Sequence, residues 1–154
     1  MGNVADLPAA SGPSGRRHGM DRMTPDERSR LMSRIRCKDT SPEMVVRRAV
    51  HALGFRYRLH VDKLPGRPDL VFSGRRKVIF VHGCFWHRHE GCRFAYMPKT
   101  RHEFWSAKLE RNRERDREVI HRLNEAGWKV MVVWECETRE GAALKESLRR
   151  FLVE

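Results

Sequence analysis

The chain has 154 residues, 40% of them hydrophobic, and a formal net charge of +12. This length and composition fit one domain with its own core. No run of about 18 apolar residues is present, which excludes a membrane-spanning helix, and we find no apolar leader typical of a secretory signal. The positive charge favours a polyanionic partner, most simply nucleic acid, although a protein with a basic surface is the plain alternative.

The first elements along the chain are predicted from capping and breaking residues. Residues 1–19 are rich in Gly, Pro, Ala and Ser and are predicted to be a disordered extension, which leaves 20–154 as the folded domain. One helix is expected to begin at Thr24, a good N-cap residue. A second is expected to be capped by Ser41 and to end at Gly54.

The rest of the chain alternates between apolar runs and helical patterns. "RYRLHV" predicts a strand, and "LPGRPDLVF" and "RRKVIFVHG" predict a hairpin across "SGR". A long helix is predicted from "RHEFWSAKLERN" to Gly127, followed by a fully buried strand "KVMVVWEC" and a closing amphipathic helix "GAALKESLRRFLVE". This order predicts an α/β sandwich in which helices cover a mixed β-sheet.

Cysteine and histidine residues cluster after the second strand of the predicted hairpin. The candidate metal ligands are His82, Cys84, His87, His89, Cys92 and Cys136. Cys84 and Cys136 each follow the apolar run of a predicted strand, so neighbouring strands would bring both thiols to one end of the sheet. A closed zinc site has four such ligands, so two of the histidines would not be needed for zinc and could have another role. The alternative to a metal site is that the thiols are simply buried and the histidines lie on the surface.

Asp69 stands at the head of a predicted strand, after a proline-containing turn. A carboxylate in this position is commonly a turn former, but it is also a hard oxygen ligand for Mg²⁺. Restriction-endonuclease-like nucleases follow such a Pro-Asp by an acid, any residue and Lys on the next strand. Here that strand reads Phe80-Val81-His82, without the acid and with histidine in place of lysine. His82 and His87 are therefore candidate general bases.

Several long motifs, in this order and spacing, resemble the very-short-patch repair (Vsr) endonucleases. They are "LPGRPDLVF", "VIFVHGCFWHRHEGC", the long helix and "VMVVWEC", within a match from about Met20 to Glu137. The resemblance implies a restriction-endonuclease-like three-layer sandwich with a structural zinc site. It also implies Mg²⁺-dependent nicking of duplex DNA 5′ to the thymine of a T·G mismatch, which arises when 5-methylcytosine deaminates. Such an enzyme would be a prokaryotic, cytoplasmic, nucleoid-associated monomer that could work with mismatch-repair proteins.

The resemblance further assigns individual roles. Asp69 and the main-chain carbonyl of Val81 would bind Mg²⁺, with His87 as general base, His82 near the metal-bound water or phosphate, and Glu43 helping to hold metal-bound water. The residues that match structural zinc ligands are Cys84, His89, Cys92 and Cys136. Those that match an intercalating wedge are Phe85, Trp86 and Trp105. Those expected near the mismatched bases are Met32, Lys108 and Asn112.

Two positions depart from the family pattern, and some side chains have a plainer interpretation. Val81 stands where some members have Thr, but a main-chain carbonyl ligand tolerates Val. Gly91 looks like an extra residue in the predicted zinc loop. Core packing is the ordinary role of aromatic residues such as those of the predicted wedge. Asn112 and Asp116 interrupt the apolar stripe of the long helix, where they could face a polar partner or form a buried hydrogen-bonded pair.

Two other functions compete with mismatch nicking. A restriction-type nuclease that cuts both strands at a specific sequence would use the same fold. A zinc-stabilised DNA-binding module without catalysis would account for the charge and the Cys/His cluster. The binding module leaves unexplained why Asp69, His82 and His87 are spared from zinc binding.

Overall fold

A computed structural model of the chain describes Thr24, Arg30, residues 38–59 and residues 61–154. The predicted extension 1–19, Met32 and most of the helix predicted from Thr24 lie outside the described residues, so these expectations and the domain boundary stay predictions. All the elements below belong to one compact unit, Cys37–Glu154. No helix in the part of the chain that the structure describes is both long and apolar enough to cross a membrane.

Helix α1 spans Ser41–Ala52. The prediction that Ser41 caps it is wrong by one residue, because Thr40 has the extended backbone of an N-cap and Ser41 is already helical. The Thr40 hydroxyl accepts a hydrogen bond from the Glu43 N–H at 3.4 Å, and the Glu43 carboxylate accepts one from the Thr40 N–H at 3.4 Å. This reciprocal capping box satisfies N–H groups that the first turn leaves unpaired. Gly54, with φ +86°, lies just beyond the helix end, as predicted.

Within the described residues, the sheet has four strands in sequence order. They are β1 (Arg58–Leu59), β2 (Leu70–Phe72), β3 (Lys77–His82) and β4 (Lys129–Trp134). β1 to β3 are antiparallel neighbours, and β3 and β4 are parallel, joined by a crossover that contains helix α2 (His102–Glu125). The hairpin, the long helix and the mixed sheet are therefore confirmed. β1 covers only part of the predicted strand "RYRLHV", of which His60 lies outside the described residues.

Helices cover both faces of the sheet. Alternate side chains of the strands, such as Leu70 and Ile79, pack with α1 and the closing helix α3 (Gly141–Val153). The intervening ones, such as Val71 and Val78, pack with Leu123 of α2. Because side chains of a strand alternate between faces, this sheet supports a core on each side. The predicted α/β three-layer sandwich is confirmed.

The last strand is less buried than its sequence predicts. Of β4 only Val133 is fully buried, and Lys129 is exposed. The physical reason is that, among the described residues, β4 lies at the edge of the sheet and pairs with β3 alone. The strand also ends at Trp134, so Cys136 lies in the turn that follows rather than in the strand.

Candidate active site and Cys/His cluster

A cavity of about 340 Å³ opens at the carboxyl end of β3. Its lining includes Asp69, Val81, His82, His87 and Asp116, with basic side chains at Lys38, Arg67 and Arg115. The Asp69 carboxylate accepts a hydrogen bond from the Val81 N–H at 2.7 Å. That bond ties the start of β2 to the end of β3, so the aspartate is held beside the two histidines.

The loop before Asp69 packs closely against α2. Gly66 has φ +70°, and a Cβ added there would lie 2.3 Å from Cγ1 of Val119. Glycine is the residue that accepts both this backbone conformation and this close approach. Gly66 therefore sets where the chain enters β2, and so where Asp69 lies.

The two histidines of the cavity are stacked. The ring centroids of His82 and His87 are 3.9 Å apart, with planes inclined by 10°. Burial, with a smaller contribution from nearby His87, lowers the pKa of His82 to about 4. A neutral imidazole at His82 follows at neutral pH, because burial removes most of the water that would stabilise the protonated form.

Asp116 of α2 completes the array. Its Oδ2 lies 2.5 Å from Nδ1 of His87, and the ligand atoms of His82, His87 and Asp116 all lie within 4.8 Å of one another. Because an ionised carboxylate only accepts hydrogen bonds, Nδ1 of His87 carries the proton and Nε2 is left as the acceptor.

The sequence did not identify Asp116 as a partner of His87. Asn112 and Asp116 do interrupt the apolar stripe of α2, but they are not hydrogen-bonded to each other: Asn112 donates from Nδ2 to the Trp86 main-chain carbonyl at 3.0 Å. Both polar side chains thus bind the segment that follows β3. The signal available in the sequence was their spacing of four residues, which places both on one face of the helix.

Glu43 is not among the described residues that line this cavity. It is buried in the first turn of α1, where it takes part in the capping box and is ion-paired with Arg47. Arg47 also donates to Asp39 at 2.7 Å. Among the described residues that line the cavity, Asp69, His82 and His87 are present and Glu43 is not.

The second cluster joins the loop after β3 to the turn after β4. The ligand atoms of its four members all lie within 4.8 Å of one another: Cys84, His89, Cys92 and Cys136. Nδ1 of His89 is 3.6 Å from Sγ of Cys84 and 3.3 Å from Sγ of Cys136. The parallel register pairs His82 with Trp134, so Cys84 and Cys136 each follow two residues later, as expected for neighbouring strands.

The chemistry of this cluster fits a thiophilic dication. Three sulfurs and one imidazole nitrogen are the ligands of a closed tetrahedral zinc site. Burial raises the pKa of the Cys84 thiol to about 12, so an ionised thiolate there needs a neighbouring positive charge, which a bound metal supplies. Gly91, with φ +69°, lies in a turn closed by the Cys92 N–H and the His89 carbonyl at 3.2 Å. That turn accommodates the extra residue.

Five aromatic rings form a third group, the aromatic cluster, which belongs to neither core. Its members are Phe85, Trp86, Tyr96, Phe104 and Trp105. Phe85 has its ring centroid 5.0 Å from that of Trp86 and 5.5 Å from that of Trp105. The ammonium of Lys108 lies 5.5 Å from the Trp86 ring and 5.6 Å from the Trp105 ring. The predicted wedge residues thus lie together, with a cation against them.

Comparison with known proteins matches the chain to one family. Residues 20–93 match the model of the family described as DNA mismatch endonuclease Vsr. The chain is 50% identical over 132 residues to the type II nicking enzyme V.XorIIP of Xanthomonas oryzae, covering 86% of this chain and 96% of that protein. It is 46% identical over 112 residues to the DNA mismatch endonuclease Vsr of Escherichia coli, covering 73% of this chain and 71% of that protein. The chain is also 41% identical over 134 residues to the type II nicking enzyme V.NmeAIP of Neisseria meningitidis, covering 87% of this chain and 95% of that protein.

Together with the mixed sheet and its two helical layers, this similarity defines the class of the protein. It is a DNA endonuclease, a hydrolase with a restriction-endonuclease-like fold. The chain belongs to the Vsr family of DNA mismatch endonucleases. Its substrate is therefore DNA, and a nuclease of this family implies a divalent metal.

Proposed function

We propose that the protein nicks duplex DNA 5′ to the thymine of a T·G mismatch left by deamination of 5-methylcytosine, in a Mg²⁺-dependent hydrolysis. The observation that carries this proposal is that Asp69 lines the same cavity as the His82, His87 and Asp116 array. The Escherichia coli relative is named a mismatch endonuclease and the Xanthomonas relative a nicking enzyme. Those names support the two parts of the proposed reaction.

Asp69 and the main-chain carbonyl of Val81 would hold Mg²⁺. The hydrogen bond from the Val81 N–H fixes the Asp69 carboxylate at the strand end. Mg²⁺ prefers hard oxygen ligands, and only a few of them come from protein residues. When bound, the ion would neutralise charge on the phosphate and activate water. Glu43, from α1, is proposed to help hold water bound to the metal.

His87 would act as the general base. Its Nδ1–H donates to Asp116, which fixes the tautomer and leaves Nε2 free to accept the proton of the attacking water. His82 stacks against the same ring and is neutral because burial lowers its pKa to about 4. It would hydrogen-bond the phosphate or the attacking water without adding a charge.

The loop after β3 would place a wedge into the DNA. Phe85, Trp86 and Trp105 would intercalate beside the mismatch, where bases are already poorly stacked, so the unstacking cost of a few kcal/mol is lowered. Lys108 and Asn112, with Met32 from the N-terminal part of the chain, would lie near the mismatched bases. We propose that zinc is the ion held by the Cys/His cluster, and that it fixes this loop.

A nicking assay tests the proposal. A duplex with one T·G mismatch and its matched T·A control, labelled on each strand, are incubated with Mg²⁺ or with EDTA. The expected result is one cut, 5′ to the mismatched thymine, only with Mg²⁺. Cleavage of both strands of the T·A duplex would favour a restriction-type nuclease, and binding without cleavage would favour a DNA-binding module.

A matched pair of aspartate variants tests the metal site. Asp69→Ala should abolish nicking while thermal stability stays close to that of the unmodified protein. Asp62→Ala removes an exposed carboxylate of the same loop, whose ion pair with Arg67 at 3.1 Å joins two largely exposed side chains, and should nick normally. Near-normal nicking by Asp69→Ala would contradict the assignment of this residue to the metal.

We propose in addition that the enzyme acts as a monomer on the genome of a prokaryote, in the cytoplasm, and could hand the nick to mismatch-repair proteins. Support for the setting comes from the bacterial origin of the relatives. Sedimentation of the free protein and of its complex with a T·G duplex would test the monomeric state, because a dimer would sediment at twice the expected mass.

A further inference from the structure

Two rings of the aromatic cluster are largely exposed. Tyr96 is 64% exposed and Phe104 is 44% exposed. Of the four exposed large hydrophobic side chains in the described part of the chain, these two lie side by side with the wedge, whereas Leu59 and Val153 lie on β1 and α3. Grouped exposed apolar side chains mark interaction sites more often than scattered ones do.

The exposed rings extend the wedge on both sides. The Tyr96 ring centroid is 5.3 Å from that of Phe85, and the Phe104 ring centroid is 5.4 Å from that of Trp105. Phe85 and Trp105 are themselves in contact. The four rings therefore form a continuous series in which the inner two are half-buried and the outer two face solvent.

Cations are interleaved with these rings. The Arg101 guanidinium lies 4.5 Å from the Phe104 ring centroid, and the Lys108 ammonium lies 5.8 Å from it. Among the described residues, neither cation forms an ion pair with a carboxylate. Rings that accept stacked bases, alternating with cations that meet phosphates, are the arrangement by which proteins bind single-stranded nucleic acid.

We propose that Tyr96 and Phe104 form a stacking subsite for the nucleotides that the wedge displaces from the helical stack, with Arg101 and Lys108 against their phosphates. The inference rests on the proposed wedge and adds Tyr96, Phe104 and Arg101, to which the sequence assigned no role. The net charge of +12 favours this occupant over an apolar protein partner. Such a subsite would stabilise the opened DNA, and would therefore act on a mismatched duplex and not on an intact one.

The test compares affinities for two duplexes by fluorescence anisotropy. Tyr96→Ala and Phe104→Ala should each raise Kd for the T·G duplex by about 5- to 150-fold, since a stacked base contributes about 1–3 kcal/mol. Both variants should leave Kd for the T·A duplex unchanged. Tyr96→Phe keeps the ring and should bind within about twofold of the unmodified protein. Val153→Ala, which shortens an exposed apolar side chain on α3, should change neither value. Melting temperatures should stay the same, because Tyr96 and Phe104 are exposed.

The outcomes separate the subsite from the wedge. If Trp86→Ala weakens T·G binding while Tyr96→Ala and Phe104→Ala do not, the subsite is overturned and the wedge stands. If Trp86→Ala binds the T·G duplex normally, the proposed wedge itself fails. Equal losses on both duplexes in Tyr96→Ala would also overturn the subsite, because the ring would then contact DNA that has not been opened.

Discussion

Replacing Gly66 by alanine should destabilise the protein and displace Asp69. Gly66 has φ +70°, which L-residues other than glycine adopt at a cost of about 1–2 kcal/mol. The added Cβ would also lie 2.3 Å from Cγ1 and 3.1 Å from Cγ2 of Val119. Val119 packs against the core that contains Leu123, so it cannot swing away freely.

The size of the effect follows from these two contributions. Over-packing of this kind costs about 1–3 kcal/mol. With the conformational cost of about 1–2 kcal/mol, Gly66→Ala should lower the free energy of unfolding by about 2–5 kcal/mol. Any backbone movement that relieves the contact shifts the loop leading to Asp69, so nicking should fall as well.

Urea denaturation and single-turnover nicking measure both consequences. Gly54→Ala is the matched control: Gly54 has φ +86° but no atom within 4 Å of an added Cβ. It should lose only about 1–2 kcal/mol and nick normally. Val119→Ala in the Gly66→Ala background should recover the steric part of the loss, seen as a coupling energy in a double-mutant cycle. Equal stability losses for the two glycine variants, or no coupling with Val119, would refute the reasoning.

Three further predictions concern the two clusters. Asp116→Asn should lower the single-turnover nicking rate by a factor on the order of 10²–10⁴, because an amide no longer fixes the His87 tautomer. Stability to urea should change little. Nicking at the normal rate would show that Asp116 has no part in the mechanism. Cys136→Ser should lose bound zinc and thermal stability together, measured by atomic absorption and calorimetry, and a zinc-replete variant of normal stability would contradict the four-ligand site. The His82 pKa of about 4 lies below its ordinary value of 6.5. Between pH 4 and pH 6.5, His82 is therefore protonated in the unfolded chain and neutral in the folded protein. Stability should therefore fall as pH drops from about 6.5 to about 4, by at most about 3 kcal/mol. The difference in urea stability between the protein and His82→Gln should follow this course, and a difference independent of pH would contradict it.

Local signals in the sequence predicted most of the elements. The helices α1, α2 and α3 and the β2–β3 hairpin were predicted from caps, apolar periodicity and turn residues, which depend on neighbours along the chain. Where two capping residues are adjacent, as at Thr40 and Ser41, only the backbone angles decide between them, and the predicted cap was one residue late. An apolar run also carries no information on how many strands flank it, so the exposure of β4 was not predictable.

The candidate site, like the fold, was predictable only in part. The proximity of Cys84 and Cys136 was predictable because they follow two apolar strands, and parallel pairing carries them to the same end of the sheet. The choice of His89 and Cys92 among the other candidate ligands came from the family resemblance. The contact between His87 and Asp116 joins residues 29 apart in sequence. It depends on how α2 lies against the loop, which no local pattern encodes. The grouping of five rings outside the two cores was likewise a tertiary result.

The contact between His89 and Cys136 spans 47 residues of sequence. An ion bound to both residues would close a loop that contains the whole of α2, and therefore both Asp116 and Val119. For a loop of this length, a cross-link reduces the entropy of the unfolded chain by an amount equivalent to about 4 kcal/mol. The ion would thus act as a removable cross-link. Its loss would loosen the helix that orients His87, so metal content would govern the rate of cleavage.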